Sequence, residues 1–168
     1  EFLTGRTFQV RVGDKLSSHH QVKSGIPQGS VIGPLLYILY SADLPSTITQ
    51  NGVIAKAFAD DLKIYRAFSK KESRVPLQEA INSVHKWCDD WQLPLALPKC
   101  CVLHIGRTNP NHPYTLANQP LKKDLVVRDL GFMVDKELNF SAHCNLIVGR
   151  ALKTCYSILR ALRTKNHK

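Results

Sequence analysis

The sequence predicts an α+β fold, one antiparallel sheet with helices on one face. Two observations predict it. Short apolar runs come in pairs separated by turn residues, and two longer stretches repeat apolar residues at helical spacing. Composition sets the scale: 168 residues, 43% hydrophobic and 21% charged, suit one domain with a hydrophobic core and argue against a disordered chain. The longest apolar stretch, residues 31–40, is broken by Gly33 and Pro34. It falls well short of the roughly 20 residues that cross a bilayer, so no membrane span is expected.

Taken in order, Phe8, Val10 and Val12 alternate with Gln9 and Arg11, and Gly13-Asp14 follows as a turn signal. Residues 20–23 are expected to return as the second strand. Residues 24–30, Ser-Gly-Ile-Pro-Gln-Gly-Ser, read as a loop. Gly33-Pro34 then opens a helix, with proline in the first turn where its missing N–H costs nothing. Leu35, Leu36, Ile38, Leu39 and Tyr40 make that helix apolar on most sides, which predicts burial.

Residues 53–58 and 62–68 are two apolar runs of strand length, and Ala59, Asp60 and Asp61 between them predict a hairpin with two carboxylates at its apex. Ser69-x-x-Glu72 fits a capping box. Behind it Leu77, Ile81, Val84, Cys88 and Trp91 recur at three- and four-residue intervals, an amphipathic helix that Pro94 and Pro98 end. Asp89-Asp90 lies within that helix and reads as a solvated face. Residues 101–105 predict a strand, 106–120 a loop, and 125–134 strand structure around Gly131, with a turn at Asp135-Lys136. A last helix carries Val148, Leu152, Cys155, Leu159 and Leu162 as its stripe, with Ser141 as its expected cap.

Charge narrows the function. Lys plus Arg is 23 against 13 Asp plus Glu, a net +10, which favours a polyanionic partner, nucleic acid before membrane. From residue 141 onward the only charged residues are Arg150, Lys153, Arg160, Arg163, Lys165 and Lys168. Five cysteines, an odd number with no signal peptide ahead of them, predict reduced thiols in an intracellular protein. No Cys-x-x-Cys occurs, and Cys101/His104 with His143/Cys144 lacks the tight paired spacing of structural zinc, so buried cysteine is the expectation.

Asp60-Asp61 is the sharpest local feature. Adjacent carboxylates at a tight turn repel, and a divalent cation turns that repulsion into attraction; oxygen-only donors of this kind suit Mg²⁺. Turn chemistry alone also selects aspartate. Residues 24–36 form a second feature, a Gly- and Pro-rich loop feeding a helix, where small residues and backbone N–H groups permit close ligand approach.

In this order the features resemble a reverse transcriptase of the non-LTR, LINE-like retrotransposon type. The residues that carry the resemblance are Ser24-Gly25-Ile26-Pro27-Gln28-Gly29-Ser30 through Gly33-Pro34-Leu35-Leu36, then Ala42-Asp43-Leu44-Pro45, then Phe58-Ala59-Asp60-Asp61. Downstream, Trp91-Gln92-Leu93 to Lys99-Cys100 and Leu130-Gly131-Phe132-Met133-Val134-Asp135 continue it, the latter looking like a primer grip.

The resemblance implies a polymerase palm over residues 1–137 and the start of a helical thumb, with a basic helix, over 138–168. It implies that Asp60 and Asp61 hold catalytic Mg²⁺ in a two-metal site and that Lys99 assists the leaving pyrophosphate. Pro27, Gln28, Gly29, Phe58 and Ala59 would lie against the incoming dNTP and the template base. Arg150, Lys153, Arg160 and Arg163 would contact the phosphates of the RNA template and DNA primer. The family's other essential carboxylate and its fingers region have no counterpart here, and residue 96 is Ala where the family usually has Asn. This chain alone is therefore expected to polymerise poorly or not at all. Copying at chromosomal DNA would place the protein in the nucleus. The rival expectation is a catalytically dead transposon remnant that only binds nucleic acid. An unrelated Mg²⁺ phosphohydrolase using Asp60 as nucleophile has no second motif behind it.

Overall fold

A computed structural model describes residues 2–69 and 73–162. The first hairpin is a two-part arm. Strands β2 (Arg11–Val12) and β3 (Lys15–Leu16) pair across the expected Gly13-Asp14 turn, and β1 (Thr7–Phe8) pairs with β4 (His20–Gln21). Between the two ladders Gln9 and Val10 oppose Ser17, Ser18 and His19, one residue more on the return strand, which makes a bulge. Ser17 closes it, its N–H donating to the Val10 carbonyl at 2.9 Å and its Oγ accepting the Val10 N–H at 3.0 Å.

The loop then turns at residues 27–30, where the Ser30 N–H donates to the Pro27 carbonyl at 3.2 Å and Gly29 has φ +80°. A positive φ at the third position is the type II signature, and glycine is the residue that takes it without strain. Helix α1 (Gly33–Tyr40) follows, with proline in its first turn, then the short α2 (Leu44–Ile48).

Strands β5 (Ile54–Phe58) and β6 (Asp61–Tyr65) form the expected hairpin. Helix α3 (Val75–Asp90) starts later than the capping box predicts. Ser69 is in coil and Glu72 lies outside the described residues; the Oγ of Ser73 accepts the Val75 N–H at 3.1 Å instead. After a 3-10 turn (Leu97–Lys99) come β7 (Cys101–Leu103), β8 (Thr115–Leu116), β9 (Gln119–Pro120), β10 (Lys122–Asp124), β11 (Val126–Asp129), β12 (Phe132–Asp135) and the long helix α4 (Ser141–Ala161).

The core is built around α3. Leu77, Ala80, Ile81, Val84, Trp87 and Cys88 are buried against Leu44 and Ile48 of α2, Val53 and Ala55 at β5, and Tyr114 and Leu116 at β8. Trp91, the last member of the predicted stripe, is the C-cap and 40% exposed. Asp89 stays at the surface beside His85, as a solvated face requires.

Several expectations are corrected. In place of a single antiparallel sheet, the described residues form six two-stranded ladders, of which β7–β10 is parallel. The strands are two to five residues long and each satisfies only the edge facing its own partner, so no ladder extends into a sheet. Within residues 106–120, Tyr114 to Leu121 form a hairpin turning at Ala117-Asn118, both at positive φ (51° and 60°), a primed turn without the usual glycine.

Helix α1 is not buried. Gly33, Leu36 and Tyr37 face the protein at i, i+3 and i+4, while Leu35, Ile38 and Leu39 stay exposed because no described element covers that side. Helix α4 likewise has no buried residue: Val148, Leu152, Leu159 and Leu162 are exposed, and it rests against β12, where His143 lies 4.8 Å from the Phe132 ring. Ser141 is the first helical residue rather than the cap, a position Phe140 takes at φ 39°.

All five cysteines are free thiols, and buried cysteine holds for Cys88 alone: Cys100 and Cys101 are half-buried, and Cys144 and Cys155 are exposed with the rest of α4. Among the described residues no helix is long and apolar enough to cross a membrane.

Candidate active site

The β5–β6 hairpin explains how two acids come to stand at an apex. Phe58 pairs with Asp61 and Ala57 with Leu62, so the loop is two residues, Ala59-Asp60, and Asp61 is already the first residue of β6. Ala59 sits at φ 51°, a left-handed conformation that costs a side-chain-bearing residue about 1 kcal/mol. Strand alternation does the rest. Ala55, Leu62 and Ile64 turn toward α3 and the core, while Phe58, Asp61 and Lys63 take the opposite face.

Asp60 and Asp61 are both exposed, and neither side chain has a hydrogen-bond or ion-pair partner among the described residues. Lys63, two residues beyond Asp61 on the same face, is engaged elsewhere: its Nζ meets Asp129 Oδ2 at 2.7 Å, tying β6 to β11. The acids are thus left as free oxygen donors. Mg²⁺ is ordinarily held by one or two carboxylates plus substrate phosphates, so the donor chemistry fits this ion. Among the described residues no group of three or more His, Cys, Asp or Glu forms a complete metal cluster.

Sequence reasoning missed Tyr37. Burial raises its phenol pKa first, and the negative charge of Asp60 raises it further, so α1 stands within electrostatic reach of the hairpin turn. The signal available was a single phenol set within the apolar run of residues 35–39. The Lys63–Asp129 pair spans 66 positions and has no sequence signal at all.

Gln28 occupies the exposed corner of the type II turn, with Pro27 half-buried and Gly29 exposed. Behind the turn, Gly33 is packed so closely that an added Cβ would lie 2.6 Å from Ser30 Oγ and 3.0 Å from Ile26 Cδ1. Arg6 fixes the front of the loop by donating to the Gly25 carbonyl. Lys99 ends the 3-10 turn and is exposed; its N–H donates to the Ala96 carbonyl at 2.8 Å. Phe58, Ala59, Asp60 and Asp61 are therefore brought together on one turn, whereas no described hydrogen bond or ion pair joins Gln28 or Lys99 to it. Arg150, Lys153 and Arg160 are exposed on α4; Arg163 lies outside the described residues.

The family described as reverse transcriptase (RNA-dependent DNA polymerase) matches residues 1–140. The chain is 33% identical over 149 residues to the probable RNA-directed DNA polymerase from transposon X-element of Drosophila melanogaster, covering 84% of this chain. It is 30% identical, with the same coverage, to the RNA-directed DNA polymerase from mobile element jockey of the same organism. A Pol polyprotein from type-1 retrotransposable element R1 of Bradysia coprophila is 28% identical over 149 residues. The chain spans 16% of the length of the first two of these relatives and 14% of the third. No solved structure matches. With a family match over residues 1–140 that takes in both the Gln28 turn and the Asp60-Asp61 hairpin, the chain belongs to the reverse transcriptase family, in the type carried by non-LTR retrotransposons.

Proposed function

We propose that this chain contributes the palm of an RNA-directed DNA polymerase over residues 1–137 and the start of its thumb over 138–168, acting in retrotransposition in the nucleus. The observation that carries the proposal is the pair of exposed carboxylates Asp60 and Asp61, without a hydrogen-bond or ion-pair partner among the described residues, at the tip of a hairpin whose other face is anchored in the core.

In this reading Asp60 and Asp61 hold Mg²⁺, and a carboxylate from outside this chain completes the set. Bound Mg²⁺ supplies activation of a primer 3′-hydroxyl and charge stabilisation on the departing pyrophosphate. The chain's own residues position. Phe58 and Ala59 fix the turn, and Pro27, Gln28 and Gly29 present an amide corner to the incoming dNTP and its template base. Lys99 offers a proton and a positive charge to the pyrophosphate. Arg150, Lys153, Arg160 and Arg163 hold the template–primer duplex by sequence-independent phosphate contacts.

The test uses the full-length protein that contains this chain. Asp60→Asn should reduce extension of a DNA primer on an RNA template about a thousandfold, the equivalent of several kcal/mol of lost charge stabilisation. Affinity for the template–primer duplex should stay close to the parent's. An active Asp60→Asn enzyme would remove the hairpin from the chemistry.

A further inference from the structure

We propose that the bulged arm of residues 7–21 is a contact surface for single-stranded template RNA leading toward the Gln28 turn, an inference that rests on the polymerase reading. None of its residues is buried. Phe8 and His20 are direct cross-strand partners, and their rings lie 5.8 Å apart at an interplanar angle of 35°. Phe8 is 50% exposed, and alternation puts Val10 and Val12 on the same face, at 54% and 76% exposure. Lys15 is the direct cross-strand partner of Val12 and so joins that face.

A half-exposed ring pair on an arm whose same face also carries a cation is the combination that binds single strands. Bases stack on the rings whatever their identity, and the cations follow the phosphates. A duplex, its bases already stacked, would use only the charges. Charge complementarity points the same way. Residues 1–31 carry Arg6, Arg11, Lys15 and Lys23 against the two acids Glu1 and Asp14. Asp14 is spoken for by Arg11 at 3.9 Å, while Lys15 and Lys23 have no ion-pair partner among the described residues. Continuity with the nucleotide corner supplies the template assignment. The base of the arm is joined to the loop by the Arg6 guanidinium on the Gly25 carbonyl and by the Val22 N–H on the Arg6 carbonyl at 2.8 Å. A strand lying along the ring face would therefore run toward the turn that presents Gln28.

The experiment measures binding of a labelled oligouridylate RNA by the full-length protein across a salt series. Phe8→Ala should weaken binding about tenfold, and Phe8→Tyr, which keeps a stacking ring, should restore it. Lys15→Ala, an exposed substitution that the fold tolerates, should lower the salt slope by about 0.7, one single-strand phosphate contact. Asp60→Asn should bind this RNA like the parent, which separates failure of the arm from failure of the catalytic reading. Unchanged affinity and slope in both Phe8→Ala and Lys15→Ala would overturn the proposal. An equal loss of affinity for blunt duplex would overturn it too.

Discussion

Among the described residues the Lys63–Asp129 pair is the one side-chain polar link between the hairpin that carries the acids and the hairpin turning at Leu130-Gly131. At 2.7 Å two unit charges attract by about 1.5 kcal/mol in bulk water and by about 6 kcal/mol at an effective dielectric of 20. The side chains are 41% and 36% exposed, so screening by water holds the net value near 1 kcal/mol or below. A neighbour makes the two halves unequal. Lys56 is the direct cross-strand partner of Lys63, and like charges facing each other destabilise a ladder. Asp129→Asn leaves those lysines opposed without a counter-charge and should cost about 1 kcal/mol; Lys63→Met removes the repulsion with the attraction and should cost less. The assay is a double-mutant cycle by urea denaturation of the chain in low salt and again near 1 M NaCl, where the screening length falls to about 3 Å. The expected coupling is about 0.5–1 kcal/mol in low salt and close to nothing in high salt. No coupling at low salt, or coupling indifferent to salt, would refute the electrostatic account.

Three further outcomes are expected. Ile48, 2% exposed between α2 and α3, should cost about 2–5 kcal/mol on substitution by Ala, read as a fall in the urea midpoint at constant slope. Burial raises the thiols of Cys88, Cys100 and Cys101 above their ordinary 9.0 and the phenols of Tyr37 and Tyr114 above 10.0. The unfolded chain loses these protons first, so stability should decline as pH rises past 9. Burial lowers His104 below 6.5, with Lys123 adding to the effect; the unfolded chain gains that proton first, so stability should also decline as pH falls below 6.5. Urea midpoints across pH check both limbs. Finally, because Asp60 is the second cause of the raised Tyr37 phenol, Asp60→Asn should move that ionisation down, followed by ultraviolet phenolate titration against a Tyr37→Phe control; an unmoved titration would detach α1 from the turn.

What the sequence disclosed divides by the range of the interaction. The α3 stripe was legible because burial on one side leaves a periodic record, and the acid-bearing hairpin because turn and strand chemistry are local. The Tyr114–Leu121 hairpin was not, since Ala117-Asn118 takes a primed turn without the glycine that announces one. Apolar periodicity in α1 and α4 was real, yet it reports a need for a partner and not where the partner lies. Leu35, Ile38 and Leu39, like Leu152 and Leu159, have no described neighbour to cover them. Contacts such as Lys63–Asp129, or Trp87 Nε1 donating to Asp43 Oδ1 at 3.2 Å, join residues 66 and 44 apart and leave no local pattern.

The site and the core are consequently one design problem. Along β6 the residues alternate Asp61 out, Leu62 in, Lys63 out, Ile64 in, and the inward pair is what α3 packs on. Slipping the strand by one position would bury Asp61 and Lys63 and expose Leu62 and Ile64, at a cost in both apolar contact and stranded charge. That penalty fixes the register, and with the register fixed the two-residue loop leaves no freedom in where Asp60 and Asp61 stand. The acids need no stabilising contacts of their own. They can remain unpaired and available to a cation because Leu62 and Ile64, facing the other way, hold the strand that carries them.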